Sequence, residues 1–83
     1  MKFTAKIEVS LKPGHSDPEG ETTEYLLKEL GYSVHKVNVS KLYTVTVDAK
    51  NSQEARNKTE EMCKRLLANP TKDNYEIIIE EQK

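Results

Sequence analysis

The 83-residue chain contains one cysteine, no tryptophan, one phenylalanine, three glycines and three prolines, and carries a net charge of only −1. Each shortage excludes something. A single thiol, Cys63, cannot close a disulfide within the chain, and with His15 and His35 far from it in sequence there is no zinc-ligand spacing. Thirteen basic residues against fourteen acidic ones provide no clustered positive field for nucleic acid or an anionic membrane. No apolar run approaches the roughly 18 residues that span a bilayer. Met1 leads directly into an alternating segment and not into a signal-peptide core, so a cytosolic location is expected, where an unpaired thiol stays reduced. Length allows one domain, residues 1–83. Small cores of this size rarely supply more than about 3–5 kcal/mol, so a stabilising partner is expected, and a second copy of the chain is the simplest.

What is present is periodic. From Lys2 to Lys12 the residues Phe3, Ala5, Ile7, Val9 and Leu11 alternate with Thr4, Lys6, Glu8 and Ser10, the pattern of a half-buried strand. Pro13-Gly14 breaks it. Asp17 then stands as an N-cap with Pro18 at the first helical position, where the missing amide costs nothing. Thr23, Leu26, Leu27 and Leu30 form a helical stripe, and Gly31 suits a left-handed C-cap. Gly20 weakens the first turn by about 1 kcal/mol relative to Ala unless close packing demands it. Ser33 to Ala49 is rich in β-branched residues and is read as two strands joined tightly near Ser40-Lys41, a boundary falling between Ser40 and Leu42. Asn51-Ser52 opens a second helix with Ala55, Thr59, Met62, Cys63 and Leu66 on one face. Asn69-Pro70 ends it, and a last strand runs from Tyr75 to Glu80 with Ile78 pointing away from the core.

The order is βαββαβ. It predicts an α+β fold of ferredoxin-like topology, a four-stranded antiparallel sheet with both helices on one face, extended or packed across a homodimer. The open sheet face, with Thr4, Lys6, Glu8, Thr44, Thr46 and Ile78, is polar but lightly charged and can meet another sheet; edge strands offer a second route to association.

Catalytic equipment is missing from the pattern. Cys63 sits beside Met62 on an apolar helix face and is expected to be inert, and neither histidine has an acid or thiol at catalytic spacing. Glu60-Glu61 and Glu80-Glu81 are adjacent pairs whose side chains diverge. There is no GxGxxG and no GxxxxGK[ST], although the helix start near Asp17 could hold an anion. An RNA-recognition module would need aromatic residues on the open strand faces, a metal chaperone a CxxC after the first strand, and an acylphosphatase an arginine in that loop. None of these is in the sequence. A binding module remains.

Three stretches carry a resemblance. Leu11-Lys12-Pro13-Gly14 with Asp17-Pro18-Glu19-Gly20 is similar to the "LKPGxxDPxG" opening of the PurS subunit family of phosphoribosylformylglycinamidine (FGAM) synthase. Val37-Asn38-Val39-Ser40-Lys41 resembles that family's hairpin segment. Met62-Cys63-Lys64-Arg65-Leu66-Leu67-Ala68-Asn69-Pro70, followed by Tyr75-Glu76-Ile77, resembles its "MCxxLLANPxxxxYxI" end. The resemblance implies a subunit of de novo purine synthesis with no catalytic residues of its own, required by an ATP- and glutamine-dependent ligase. It implies three partners: another copy of the chain, the synthetase subunit PurL and the glutaminase subunit PurQ. Ammonia from glutamine then reaches the ATP-activated formylglycinamide ribonucleotide, with ATP and Mg used by the complex and no cofactor held by this chain. Residues carried over as partner-binding are Lys12, Pro13, Gly14, Asp17, Pro18, Gly20, Lys41, Asn69 and Pro70. Family members often have Arg and Gly where Asn38 and Ser40 stand, so a contact through that arginine has no counterpart here. The alternative, which rests on the fold class and the helix start near Asp17, is a dimeric regulatory module of ferredoxin-like topology that binds a small ligand.

Overall fold

The computed structural model describes residues 1–82. Strand β1 (Lys2–Leu11) is followed by helix α1 (Pro18–Glu29), strand β2 (Lys41–Asp48), helix α2 (Ser52–Met62), which continues into a π-wound turn (Cys63–Leu67), and strand β3 (Asp73–Glu81). The sheet is antiparallel with order β2-β1-β3. Its centre is the alternating N-terminal segment. Ala5 and Ile7 are fully buried there, with Val45 and Tyr43 opposite them on β2 and Ile79 and Ile77 opposite on β3. Phe3 is buried at one end and packs with Val47, Ala49 and Ala55.

Helix α2 covers this face through its small residues. Ala55 and Thr59 are fully buried, and the Thr59 hydroxyl donates to the Ala55 carbonyl at 2.7 Å, so no polar atom is left unpaired. Arg56 Nη2 donates to the Ile77 carbonyl at 3.0 Å and Lys58 Nζ to the Asp48 carbonyl at 3.0 Å, tying the helix to both flanks of the sheet. Asn51 caps α2 by accepting from the Glu54 amide at 2.9 Å. The expected stripe on this helix ends differently. Leu66 is exposed and Leu67 half-buried, because the wider π turn places the residue four or five positions after Cys63, and not three, over the core.

The sheet has three strands among the described residues, not the four expected. Residues 33–40 are irregular, with a bend at His35, and belong to no ladder. Two of their amides are taken by carboxylates, one of α1 and one of its N-cap: Val37 N donates to Glu24 Oε1 at 3.3 Å and Val39 N to Asp17 Oδ2 at 2.9 Å. With those donors engaged, the segment pairs with α1 and the strand after it starts directly at Lys41 without a hairpin.

The expectation of both helices on one sheet face is also corrected. Among the described residues α2 is the helix that packs on the sheet, and α1 makes no comparable contact with it. Helix α1 has the predicted caps, with Gly31 at φ +96°, Tyr32 N donating to the Leu27 carbonyl and Gly31 N to that of Lys28. Its apolar residues Tyr25, Leu26 and Leu30 are nonetheless exposed. The molecule is accordingly long and thin, 50 × 30 × 14 Å, with a radius of gyration of 16.3 Å. A compact chain of this length has about 12 Å.

Candidate functional site

The carried-over residues meet at one end of the sheet. Where β1 stops, Lys12 N donates to the Lys72 carbonyl at 2.7 Å and Lys12 Nζ to the Pro70 carbonyl at 2.9 Å, which fastens the Lys12-Pro13-Gly14 turn to the Asn69-Pro70 turn. Gly14 has φ +89°, a conformation that favours glycine. Asn69 shapes its own turn: its Oδ1 accepts from Thr71 N at 2.9 Å while its amide donates to Asp73 Oδ2 at 2.9 Å. Two loops separated by more than fifty residues are thus one surface.

Asp17, Pro18 and Gly20 form a second group beside it. Asp17 caps α1 by accepting from Gly20 N at 3.0 Å on one oxygen and holds Val39 N on the other. These amides, that of Val39 first, hold its carboxyl below the ordinary value of 3.8, with Lys36 adding to the effect. Gly20 is buried, and a Cβ built on it would collide with the Val37 carbonyl oxygen. Close approach is therefore the reason for this glycine. Lys41, exposed at the start of β2, lies along the same end, sharing a cleft of about 350 Å³ with Pro18, Lys72 and Asp73. A neighbouring open cleft of about 490 Å³ is bounded by the 12–14 turn, Asp17 and residues 36–40.

Sequence reasoning missed Glu24 and Lys36. Glu24 holds both Lys28 at 3.1 Å and the Val37 amide, and its carboxyl is lowered, chiefly by Lys28. A glutamate in mid-helix with a lysine four positions on reads as a surface pair, and nothing in the pattern shows its second partner. The structure also places His15 and His35 on one cleft, which their spacing did not suggest.

The chemistry of this end is that of a shaped surface. Lys12, Lys36 and His15 are interspersed with Glu8 and Asp17, and the turns are built by backbone hydrogen bonds. Cys63, the one thiol, is fully buried under the sheet, and burial together with Glu60 pushes it above its ordinary value.

Residues 4–81 match the family model for PurS, described as phosphoribosylformylglycinamidine (FGAM) synthase. The chain belongs to the PurS family. The phosphoribosylformylglycinamidine synthase subunit PurS of Archaeoglobus fulgidus is 40% identical over 75 residues, 89% of this chain and 94% of that one. Thermus thermophilus PurS superposes with a TM-score of 0.90 at 34% identity over the whole of both chains. A chain of the Thermotoga maritima PurLQS structure does so with a TM-score of 0.88 at 32% identity, over 95% of this chain and 98% of that one. The likeness spans nearly the whole chain, so the order and arrangement of its strands and helices are shared with solved PurS structures.

Proposed function

We propose that this chain is the small, non-catalytic subunit of FGAM synthase in purine biosynthesis, acting as a dimer or larger and joining the synthetase subunit PurL to the glutaminase subunit PurQ. The observation that carries the reading is the likeness, over nearly the full length of both, to a chain of the Thermotoga maritima PurLQS structure. The reaction belongs to the partners, as do ATP and Mg. A protein that binds the joined state of two others raises its population by mass action, so ammonia released from glutamine meets the activated ribonucleotide before it escapes.

The end of the sheet that carries Lys12, Gly14, Asp17, Lys41 and Asn69-Pro70 is the surface offered to a partner. Its turns are held by their own hydrogen bonds before any contact is made, which lowers the ordering cost of docking. Nothing in the clefts favours the small-ligand alternative: every buried side-chain polar atom among the described residues already has a partner. The cytoplasm is the place of action that goes with this reading. Among the described residues no helix is long and apolar enough to cross a membrane.

The test is assembly. Sedimentation of purified PurL and PurQ with this chain should give one complex containing all three. A PurL–PurQ mixture that sediments identically with and without it refutes the reading.

A further inference from the structure

Strands β2 and β3 form the two edges of the sheet, and the edge of β3 is stopped at its middle by a side chain. Lys12 N donates to the Lys72 carbonyl and Gln82 N to the Lys2 carbonyl, so the even-numbered residues of β3 exchange bonds with β1. The backbone groups of Asp73, Tyr75, Ile77, Ile79 and Glu81 therefore point outward, away from β1. The Asp73 amide is taken locally by the Asn69 carbonyl at 2.8 Å. At Ile77, the middle of the outward row, Arg56 Nη2 reaches over from α2 and donates to the carbonyl at 3.0 Å.

An edge strand of this sequence invites pairing. Tyr75-Glu76-Ile77-Ile78-Ile79 is β-branched and aromatic, holds neither proline nor glycine, and keeps an unbroken register along β3. A strand joining it would place an amide about 2.9 Å from the outward Ile77 carbonyl. Arg56 Nη2 already stands at that distance, and the residue is half-buried. An incoming strand has to pull the guanidinium out of a charge-assisted bond or bury it unpaired, and both are unfavourable. Glu76 and Glu80, exposed on the sheet face away from α2, form a lesser barrier: they repel an acidic strand, but salt screens them and a basic strand is attracted. The β2 edge has no such stop at its middle. Ala49 N donates to the Met1 carbonyl, so Leu42, Thr44, Thr46 and Asp48 face outward there. Lys58, itself paired with Glu54 at 3.1 Å, engages the last of these, at the Asp48 carbonyl.

We propose that Arg56 closes the outer edge of β3 and keeps the sheet from accepting a further strand there. What it excludes is an extended peptide that binds by strand addition, most readily one whose alternate basic side chains meet Glu76 and Glu80. Arg56 acts whether or not the chain binds PurL and PurQ, because the contact lies within one chain.

A labelled peptide tests it, with the sequence of residues 74–80 but lysine in place of both glutamates. Fluorescence anisotropy should show the full-length Arg56→Met chain binding this peptide about 10-fold more tightly than wild type, or more, since that is the worth of a hydrogen bond to a charged group. Arg56→Lys, which keeps a long cationic donor, should return binding towards wild type. Arg56→Gln, which ends two bonds short of Nη2, should behave as Arg56→Met. Hydrogen exchange supplies the register: with peptide bound, the outward amides of Tyr75, Ile77 and Ile79 should slow in the opened variants, while the inward amides of β3 keep their rates. Continued protection of Cys63 from a thiol reagent shows that each variant is folded. Equal affinity of wild type and the opened variants, tighter binding that leaves the outward amides unprotected, or an Arg56→Lys chain that binds as tightly as Arg56→Met overturns the role of Arg56.

Discussion

Replacing Gly20 with alanine should destabilise the protein although it improves helix propensity. In the first turn of an ordinary helix the change gains about 1 kcal/mol. Here the added methyl would collide with the Val37 carbonyl oxygen and lie 2.6 Å from Asp17 Oδ2. Neither neighbour is free to retreat: Val37 N is held by Glu24, and the Asp17 carboxylate is held by the Gly20 and Val39 amides. Overpacking of this kind costs about 1–3 kcal/mol, so the net effect is a loss of up to roughly 2 kcal/mol. For a domain of this size each kcal/mol lowers the melting temperature by about 4–8 °C. Urea denaturation followed by far-UV circular dichroism, at one fixed chain concentration because association adds to stability, measures the difference. Thr22→Ala, at an exposed α1 position, is the control and should stabilise slightly. Hydrogen exchange at the Val37 and Val39 amides should quicken in Gly20→Ala. An alanine variant about 1 kcal/mol more stable than the parent, with those amides unchanged, would refute the close-contact explanation.

Acid stability follows from the carboxylates. Asp17, Glu24 and Glu54 are all held below their ordinary values of 3.8, 4.5 and 4.5, by the Val39 and Gly20 amides, by Lys28 and by Lys58 respectively. Groups lowered in the folded state contribute fully above their unfolded values and lose that contribution as pH falls, so a denaturation series should be level from neutral pH down to just above 4.5 and decline below it. Asp17→Asn should make the decline shallower, and an unchanged slope would show that the cap carries none of it. Cys63, fully buried, should react with a thiol reagent only at the rate of unfolding. Prompt labelling under native conditions would contradict its position beneath the sheet.

Much of the fold was legible because period two and period 3.6 are unmistakable in strands and helices that bury one face. Phe3 to Val9 and Tyr75 to Ile79 alternate as their burial does. Asp17, Pro18 and Gly31 act through local geometry, and they cap or open the first helix where the sequence placed them. Three features were not legible. The stripe of Leu26 and Leu30 identifies an apolar helix face but not that the fold leaves it exposed, away from the chain's own sheet. The valines of residues 33–40 have strand propensity, yet two carboxylates thirteen and twenty-two residues away claim their amides. Leu66 and Leu67 exchange roles because a π turn shifts the phase of the last helical residues, and no residue type announces such a turn. For the site, the sequence identified turns, and only the structure shows that Lys12 joins two of them through the Pro70 carbonyl.

The most direct test of the central claim is the rate of FGAM formation by PurL and PurQ with glutamine, and separately with high free ammonium, each with and without this chain. If the chain holds the two enzymes together so that ammonia is passed on, its omission abolishes most of the glutamine-dependent rate and leaves most of the ammonium-dependent rate. Equal loss of both rates, or loss of neither, contradicts the account.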